Sequence, residues 1–107
     1  MGKKENEFQA GLIKEIKARF PGAMVLKNDA NYIQGIPDLT VLYEDHWAML
    51  ECKRSNDASK RPNQEYYINK LGDMSFASFI SPETKEEVLN ELEQSFGTSR
   101  KACDSKS

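Results

Sequence analysis

Cysteine and histidine are scarce in this 107-residue chain, which contains two cysteines and one histidine. A zinc site built from a cluster of cysteine and histidine ligands is therefore excluded, and a nucleophilic enzyme of the Ser/His or Cys/His type is not supported. Cys52 lies in an apolar run and Cys103 in a polar tail, so we do not expect a structural disulfide. His46 falls in a predicted turn, where a solvated side chain is more typical than a general base.

Long hydrophobic runs are also lacking. No window reaches the roughly 18 consecutive apolar residues that a membrane span needs, and residues 1–4 lead straight into charged sequence without the apolar region of a signal peptide. We therefore expect an intracellular, cytoplasmic protein with no membrane contact. With 38% hydrophobic residues the chain can bury one modest core, so we expect one domain with any active site on that core.

The chain has no excess of positive charge, because 15 Lys and Arg residues face 17 Asp and Glu residues. A nucleic-acid-binding protein with this balance needs its positive charge gathered locally. Residues 1–27 and 53–70 are rich in basic residues, whereas the stretch between them is purely acidic. On charge alone this alternation is more typical of ordinary solvated faces than of a phosphate-binding surface.

Hydrophobic periodicity and turn residues predict an α/β domain with the element order αβββαβα. The predicted elements are an amphipathic helix over residues 4–20, strands over residues 23–27, 37–43 and 47–53, a helix over residues 62–71, a strand over residues 75–80, and a last helix that opens at Ser81 and closes at Gly97. Because the following segment lacks apolar anchors, we expect a single domain over residues 1–97 and a disordered polar tail over residues 98–107.

Two of the predicted strands form an antiparallel hairpin around the polar Glu44–Asp45 interruption. If the hairpin closes symmetrically about this turn, Asp38 lies opposite Glu51, and two facing carboxylates are destabilising unless a positive charge lies between them. A divalent cation would supply that charge, with Lys53 on the same face as Glu51. A three-residue loop would instead pair Asp38 with Cys52 and send the acids to opposite faces. A surface hairpin with a simple Glu–Lys pair is the other alternative.

The chemistry favoured by this arrangement is hydrolysis of a phosphodiester. Carboxylate oxygens are hard ligands that suit Mg²⁺ or Mn²⁺, and these ions retain waters and gather substrate phosphates. The metal would polarise the phosphoryl oxygen and lower the pKa of a bound water. Lys53 would position that water or stabilise negative charge in the transition state.

A polar amide heads an otherwise apolar helix face after Pro62. Gln64 shares the stripe of Tyr67, Ile68 and Leu71 at helical spacing, so we expect it to be buried and to need a partner. It either makes a hydrogen bond at the start of the helix, or it orients the nucleophilic water or contacts the phosphate. The N-terminus of this helix also offers free backbone N–H groups to a phosphate.

The order and spacing of three short motifs resemble the PD-(D/E)XK nuclease superfamily, in particular its small VRR-NUC-type branch, which is found in phages and related to Holliday-junction resolvases. The motifs are Gly35-Ile36-Pro37-Asp38, Glu51-Cys52-Lys53 and Gln64. The resemblance covers residues 5–96. It implies a restriction-endonuclease-like core of αβββαβ order, with a central mixed sheet and a C-terminal helix.

The resemblance also implies roles for individual residues. The implied metal ligands are Asp38, Glu51 and the main-chain carbonyl of Cys52, with Lys53 as the catalytic lysine and Gln64 as the glutamine that follows in this branch. The family places a further glutamate on the first helix. Glu7 is the best match, with Glu15 and Glu5 as rivals, and glutamates in the first turn of a helix are also common for dipole reasons alone.

A basic loop precedes the Gln64 helix and favours contacts to a nucleic-acid backbone. The candidate contacts are Arg54, Lys60 and Arg61 of this loop, Lys4 of the first helix, and Tyr66. For Lys4 the alternative is a solvated helix face, and for Tyr66 it is a position in the core. Phosphate contacts are salt-sensitive and carry no base readout. Recognition of nucleic-acid shape is therefore favoured over recognition of a long sequence.

These features together predict a Mg²⁺- or Mn²⁺-dependent endonuclease that hydrolyses DNA at branched structures such as Holliday junctions. We expect a phage or bacterial setting, hence the host cytoplasm if the protein is phage-encoded. Cutting both strands of a symmetric junction needs two active sites, so we expect a homodimer. The alternatives are a nuclease for linear, nicked or single-stranded nucleic acid or structured RNA, and a catalytically silent DNA-binding module.

Overall fold

Three helices and four strands follow one another in the predicted order αβββαβα. The structure, a computed structural model, describes the backbone of residues 3–104 and the side chains of residues 5–97. The elements are α1 (Lys3–Arg19), β1 (Met24–Lys27), β2 (Leu39–Tyr43), β3 (His46–Cys52), α2 (Pro62–Met74), β4 (Ala77–Ile80) and α3 (Lys85–Asp104). The predicted α/β fold class is confirmed.

The four strands form one mixed sheet in the order β1-β2-β3-β4. β1 and β2 pair antiparallel, as do β2 and β3, whereas β3 and β4 pair parallel. A parallel pair needs a crossover connection, which α2 supplies as it packs against β3 and β4. The crossover brings the start of α2 beside the end of β3, where the candidate site lies.

One face of the sheet carries the hydrophobic core. Alternate residues of β2 and β3 are buried there because side chains two apart in a strand share a face. The apolar stripes of α1 and α3 cover this face, and ion pairs link the two helices: Arg19 lies 2.7 Å from Glu86, and Lys85 lies 2.8 Å from Glu15. The buried core side chains are Leu12, Ile16 and Phe20 of α1, Leu39, Val41 and Tyr43 of β2, Ala48, Leu50 and Cys52 of β3, Ile80 of β4, and Val88, Leu89, Leu92 and Phe96 of α3.

The start of β2 and the end of α2 differ from the sequence prediction. β2 begins at Leu39 rather than Pro37. Pro37 has no N–H to donate to a strand ladder, and its carbonyl oxygen accepts a hydrogen bond from the Asn28 side chain at 2.9 Å. α2 continues past Gly72 to Met74, since a glycine inside a helix costs only about 1 kcal/mol relative to alanine.

The last helix begins later and ends later than predicted. The Ser81 N–H donates to Thr84 Oγ1 at 3.0 Å, which forms a turn, so α3 starts at Lys85 instead of Ser81. Gly97 does not close the helix, which continues to Asp104. The buried side chains of α3 anchor the helix to the sheet, so it tolerates the glycine penalty of about 1 kcal/mol.

The C-terminal segment bears on the predicted domain boundary. Residues 105–107 and the side chains of residues 98–104 lie outside the described part of the chain. The single domain over residues 1–97 and the polar tail beyond it therefore stay predictions. Among the described residues, no helix has the length and apolar character needed to cross a membrane.

Candidate active site

The β2–β3 hairpin has the register that places two acids side by side. Leu39 pairs with Leu50, so the hairpin closes symmetrically about its two-residue turn and the alternative three-residue loop is excluded. Asp38 comes directly before this pair and therefore meets the end of β3. Its Oδ2 atom accepts a hydrogen bond from the Cys52 N–H at 3.0 Å, next to Glu51.

Glu51 is a buried carboxylate with one unsatisfied oxygen. It is 4% exposed, and its Oε2 atom accepts a hydrogen bond from Gln64 Nε2 at 3.0 Å and lies 4.0 Å from Lys53 Nζ. Its Oε1 atom is buried and has no hydrogen-bond partner among the described residues. Burial raises the pKa of Glu51 to about 8, and the nearby Asp38 carboxylate adds to this effect.

The pKa of Asp38 is raised as well, chiefly by desolvation on burial. The hydrogen bond from the Cys52 backbone opposes this shift, while negative charge on Glu5 reinforces it. The half-buried Asp38 and the buried Glu51 thus lie together, and desolvation and mutual repulsion disfavour ionisation of both carboxyl groups at once. A nearby cation would stabilise the ionised pair.

Lys53 is the nearest positive charge and is itself buried, at 9% exposure. Its Nζ atom donates to the Ser59 carbonyl oxygen at 3.0 Å and to Gln64 Oε1 at 2.8 Å. These two acceptors, one in the loop after β3 and one on α2, hold the ammonium group beside Glu51. The lysine is therefore positioned by the site rather than extended into solvent.

Gln64 joins the acid and the lysine. Its Oε1 atom also accepts the Arg61 N–H at 3.2 Å, which caps the start of α2, while its Nε2 donates to Glu51. An amide carries both a donor and an acceptor, so one side chain serves both oppositely charged groups. The helix-start hydrogen bond expected from the sequence is therefore present. The other interpretation of Gln64, that it orients the nucleophilic water or contacts the phosphate, stays a prediction.

A cavity of about 600 Å³ opens onto these groups. Its walls come from the loop between β1 and β2, the loop after β3, and the starts of α1 and α2. The residues that line it include Asp38, Glu51, Lys53 and Gln64, the basic Arg54 and Arg61, the acidic Glu5, and Asn31, Gln34, Gly35 and Asn63. Acidic ligands, a lysine and basic flanking groups therefore face one space.

The oxygen atoms of the site fit a divalent cation. The unpaired Glu51 Oε1 and the adjacent Asp38 carboxylate are hard donors that suit Mg²⁺ or Mn²⁺. The described residues contain no group of three or more His, Cys, Asp and Glu side chains arranged to hold a metal. A divalent ion held by these two carboxylates would therefore need further ligands. The main-chain carbonyl implied for Cys52 and several waters, which Mg²⁺ commonly retains, would supply them.

The first-helix glutamate beside the site is Glu5. Glu5 lines the cavity, whereas Glu7 is exposed and is not part of the lining. Glu15 lies ten residues beyond Glu5 along α1, where it pairs with Lys85 of α3 at 2.8 Å. Positions 5 and 7 point about 200° apart on a helix of 3.6 residues per turn, so the geometry favours Glu5 over Glu7, the best match by resemblance.

The predicted DNA-contacting residues are only partly gathered at the cavity. Arg54 and Arg61 line it, while Lys60 lines a smaller neighbouring cavity of about 210 Å³. Tyr66 is exposed on α2. The side chain of Lys4 lies outside the described residues, so its predicted contact stays a prediction.

The side chains of His46 and Cys52 point away from the cluster formed by Asp38, Glu51 and Lys53. His46 begins β3 at the opposite end of the strand, where its ring stacks on Phe96 with centroids 5.5 Å apart, so it is half-buried rather than solvated. The Cys52 side chain is fully buried in the core face, and burial raises its thiol pKa to about 12. The thiol therefore stays neutral and contributes packing.

Sequence reasoning missed the loop of residues 29–36 as a wall of the site. Only its last motif residues, beginning at Gly35, carried a recognisable pattern. Gly35 has φ of +92°, and a Cβ atom on it would lie 2.4 Å from Asn63 Cβ. A glycine before an Ile-Pro-Asp sequence was the available signal, because close backbone approach requires that residue.

Comparisons with solved structures find the same fold. A solved structure described as "VRR_NUC domain protein" superposes with a TM-score of 0.62 at 16% identity, covering 89% of each chain. Another, described as "VRR_NUC domain", has a TM-score of 0.61 at 21% identity and covers 83% of this chain and 97% of its own. No family model matches, and neither does any curated protein. The chain therefore shares its fold with solved VRR_NUC domains, which agrees with the fold predicted from the sequence.

Proposed function

We propose that the protein is a metal-dependent endonuclease that hydrolyses DNA phosphodiester bonds. The observation that carries this proposal is the unpaired Oε1 atom of Glu51, buried beside a second carboxylate and a held lysine on an open cavity. A module that only binds DNA gains nothing from two carboxyl groups next to a phosphate, because like charges repel. In a metal-dependent hydrolase the same two carboxyl groups serve as ligands of the metal ion.

The protein residues divide the work of hydrolysis. Asp38, Glu51 and the Cys52 carbonyl would hold Mg²⁺ or Mn²⁺, and the bound ion would polarise the phosphoryl group and lower the pKa of a water ligand. Lys53 has three ammonium protons, of which two are used by acceptors among the described residues. The remaining one donates to the attacking water or to a phosphoryl oxygen. Gln64 is hydrogen-bonded to both groups and so fixes the distance between the Lys53 ammonium group and Glu51.

The surroundings of the cavity support DNA as the substrate. Arg54 and Arg61 line the same space as the carboxylates, which supports the proposal that they contact the phosphates flanking the scissile bond. These contacts read the backbone, which favours a substrate chosen by shape, and we propose branched DNA such as a Holliday junction.

A symmetric junction carries two bonds to cut, and each chain supplies one cavity of this kind. We therefore propose that the active species is a homodimer with two-fold symmetry. Its oligomeric state is measurable directly by sedimentation or light scattering in solution. A monomer that cuts a junction only once would argue against this part of the proposal.

Cleavage of labelled substrates tests the proposed chemistry. Four-way junction, linear duplex, nicked duplex, single-stranded DNA and structured RNA are incubated with wild type in Mg²⁺ or Mn²⁺, and with Glu51→Gln. The matched control is Glu65→Gln, an exposed glutamate of α2 outside the cavity lining. We expect junction cleavage by wild type and the control, and none by Glu51→Gln.

Each contrary result has a distinct meaning. Equal cutting of all DNA substrates would retain the metal mechanism and remove junction selectivity. Preferential cutting of RNA would replace the substrate class. Binding of DNA without cleavage in any metal would overturn the endonuclease and favour a silent binding module.

A further inference from the structure

One loop beside the candidate site presents an aromatic ring to solvent. Tyr32 lies in the loop of residues 29–36, and it is 85% exposed. Rings such as Phe20, Tyr43 and Phe96 are instead packed together in the core. Isolated exposed apolar groups are ordinary on protein surfaces, so the informative features are the support and the position of this ring.

The loop that carries Tyr32 is braced by hydrogen bonds. The Tyr32 N–H donates to the Asp29 carbonyl oxygen at 3.0 Å, and the Asn31 N–H donates to Asp29 Oδ1 at 2.9 Å. Near the end of the loop, Gly35 packs directly against Asn63 of α2. A braced loop orders its aromatic residue before any ligand arrives, so less conformational freedom is lost on binding.

The same loop forms one wall of the catalytic cavity. Asn31 and Gln34, on either side of Tyr32 in sequence, line the cavity together with Asp38. The residues at the two ends of the loop are also joined, because the Asn28 N–H donates to the Asp38 carbonyl oxygen at 2.8 Å. Tyr32 is not itself part of the lining, but its neighbours in sequence place it next to this wall of the cavity, in a loop whose base is hydrogen-bonded to Asp38.

We propose that Tyr32 stacks on an unpaired nucleobase of the DNA whose scissile phosphate occupies the cavity. This inference rests on the proposed function and names a feature of its substrate. Stacking on an aromatic ring is tolerant of base identity, since every base has a π-face. Bases inside a duplex are already stacked on their neighbours, so only a base freed at a branch, flap or end is available to the ring.

This contact supplies selectivity that the phosphate contacts lack. Arg54 and Arg61 meet backbone phosphates, which are present in paired and unpaired DNA alike. A ring next to the cavity wall distinguishes the two, because it stabilises only the complex in which a base is free. Tyr32 is thus a specificity-determining residue, and it takes no part in the hydrolytic step.

The test uses two DNA substrates of identical sequence around the scissile phosphate. One is fully paired, and the other has one unpaired 2-aminopurine beside that phosphate. The fluorescence of 2-aminopurine falls when the base stacks. Equilibrium affinity is measured with the full chain in EDTA, and cleavage is measured in parallel in Mg²⁺. The variants are Tyr32→Ala and Tyr32→Phe, with Met74→Ala, 65% exposed at the far end of α2, as the control.

We expect Tyr32→Ala to weaken binding of the unpaired substrate by about 5- to 150-fold, the range found for one base stacked on one aromatic ring. Affinity for the paired duplex should stay within about twofold, which is the change expected where no base is free to stack. The fluorescence quenching should be lost in Tyr32→Ala. Tyr32→Phe and Met74→Ala should behave as wild type, because stacking uses the ring and not the hydroxyl group.

Equal loss of affinity for both substrates, or a Tyr32→Phe variant that behaves as Tyr32→Ala, would overturn the stacking proposal. So would normal cleavage and binding by Tyr32→Ala on both substrates, a result that leaves the nuclease proposal intact. Tyr32-dependent quenching in a protein that cleaves nothing would support stacking and contradict the nuclease. A protein that binds neither substrate would overturn both.

Discussion

The Gln64 side chain donates a hydrogen bond from its Nε2 atom to Glu51 Oε2 at 3.0 Å, which ties the start of α2 to the end of β3. The same amide accepts a hydrogen bond from Lys53 at 2.8 Å. A buried anion and a buried cation thus share one neutral partner that satisfies both. The spacing between acid and lysine depends on this amide as much as on the strand that carries them.

Replacement of Gln64 by alanine is expected to reduce both stability and activity. It leaves Glu51 Oε2 and one Lys53 proton without their partner, and a buried polar group left unsatisfied costs about 1–3 kcal/mol. Outer-shell partners of metal ligands typically contribute 10- to 100-fold in metal affinity or activity. Thermal unfolding and cleavage rates against Mg²⁺ concentration measure the two effects. Asn69→Ala, an exposed residue of α2, is the control, and an unchanged Mg²⁺ dependence in Gln64→Ala would contradict the role.

Glu51→Gln is expected to stabilise the metal-free protein increasingly as the pH rises. The Glu51 pKa is about 8 in the folded protein against 4.5 for the free side chain. The folded state therefore holds a proton that the unfolded state has released, so wild-type stability is full below about pH 4.5 and is lost as pH rises toward 8. Each unit of pKa difference corresponds to about 1.4 kcal/mol.

Melting temperatures in EDTA from pH 5 to pH 8.5 measure this effect. The gap between Glu51→Gln and wild type should widen across that range, by up to a few kcal/mol in unfolding free energy. Addition of Mg²⁺ at pH 8 should narrow it, because metal binding favours the ionised carboxylate of the wild type. A difference in melting temperature between Glu51→Gln and wild type that stays constant from pH 5 to pH 8.5 would contradict the raised pKa of Glu51.

Glu5→Gln and Glu7→Gln form a matched pair on one helix. Glu5 lines the cavity, and its charge raises the pKa values of Asp38 and Glu51. Loss of this negative charge should weaken attraction for a divalent cation, so the Mg²⁺ concentration for half-maximal cleavage should rise several-fold. Glu7→Gln should leave it unchanged, and the reverse result would restore Glu7 as the glutamate of the site.

The central part of the site was predictable from local pattern. The polar interruption at Glu44–Asp45 is short, so it admits few hairpin registers, and period-two alternation then puts Asp38 beside Glu51 on the face that carries Lys53. Gln64 was expected to be buried because of its place in an apolar helix stripe; it is half-buried, and the expected hydrogen-bond partners are present. These inferences needed one hairpin and one helix only.

The remainder depends on how elements pack against one another. The rotation of α1 about its axis decides between Glu5 and Glu7, and that rotation is set by contacts with the sheet rather than by the first turn of the helix. The partners of Gln64 depend on where the crossover lays α2. The loop of residues 29–36 has no hydrophobic period, so its role as a wall was not visible in sequence.

Gly35→Ala is expected to disturb the site through the contact between two of its walls. At φ of +92° a non-glycine residue is strained, and the added Cβ would lie 2.4 Å from Asn63 Cβ and 3.0 Å from the Asn63 carbonyl carbon. Backbone strain of this kind costs about 1–3 kcal/mol, and relief of the clash requires the loop to move away from α2. We expect a lower melting temperature together with weaker DNA cleavage.

Gly11→Ala provides the control for this substitution. Gly11 lies inside α1 with open space around its Cβ position, so alanine there should raise stability by about 0.5–1 kcal/mol through helix propensity. Denaturant unfolding of both variants compares the two glycines directly, and cleavage of the junction by folded Gly35→Ala reports on the cavity. Equal stability of the two variants would show that the contact between Gly35 and Asn63 does not hold the loop against α2.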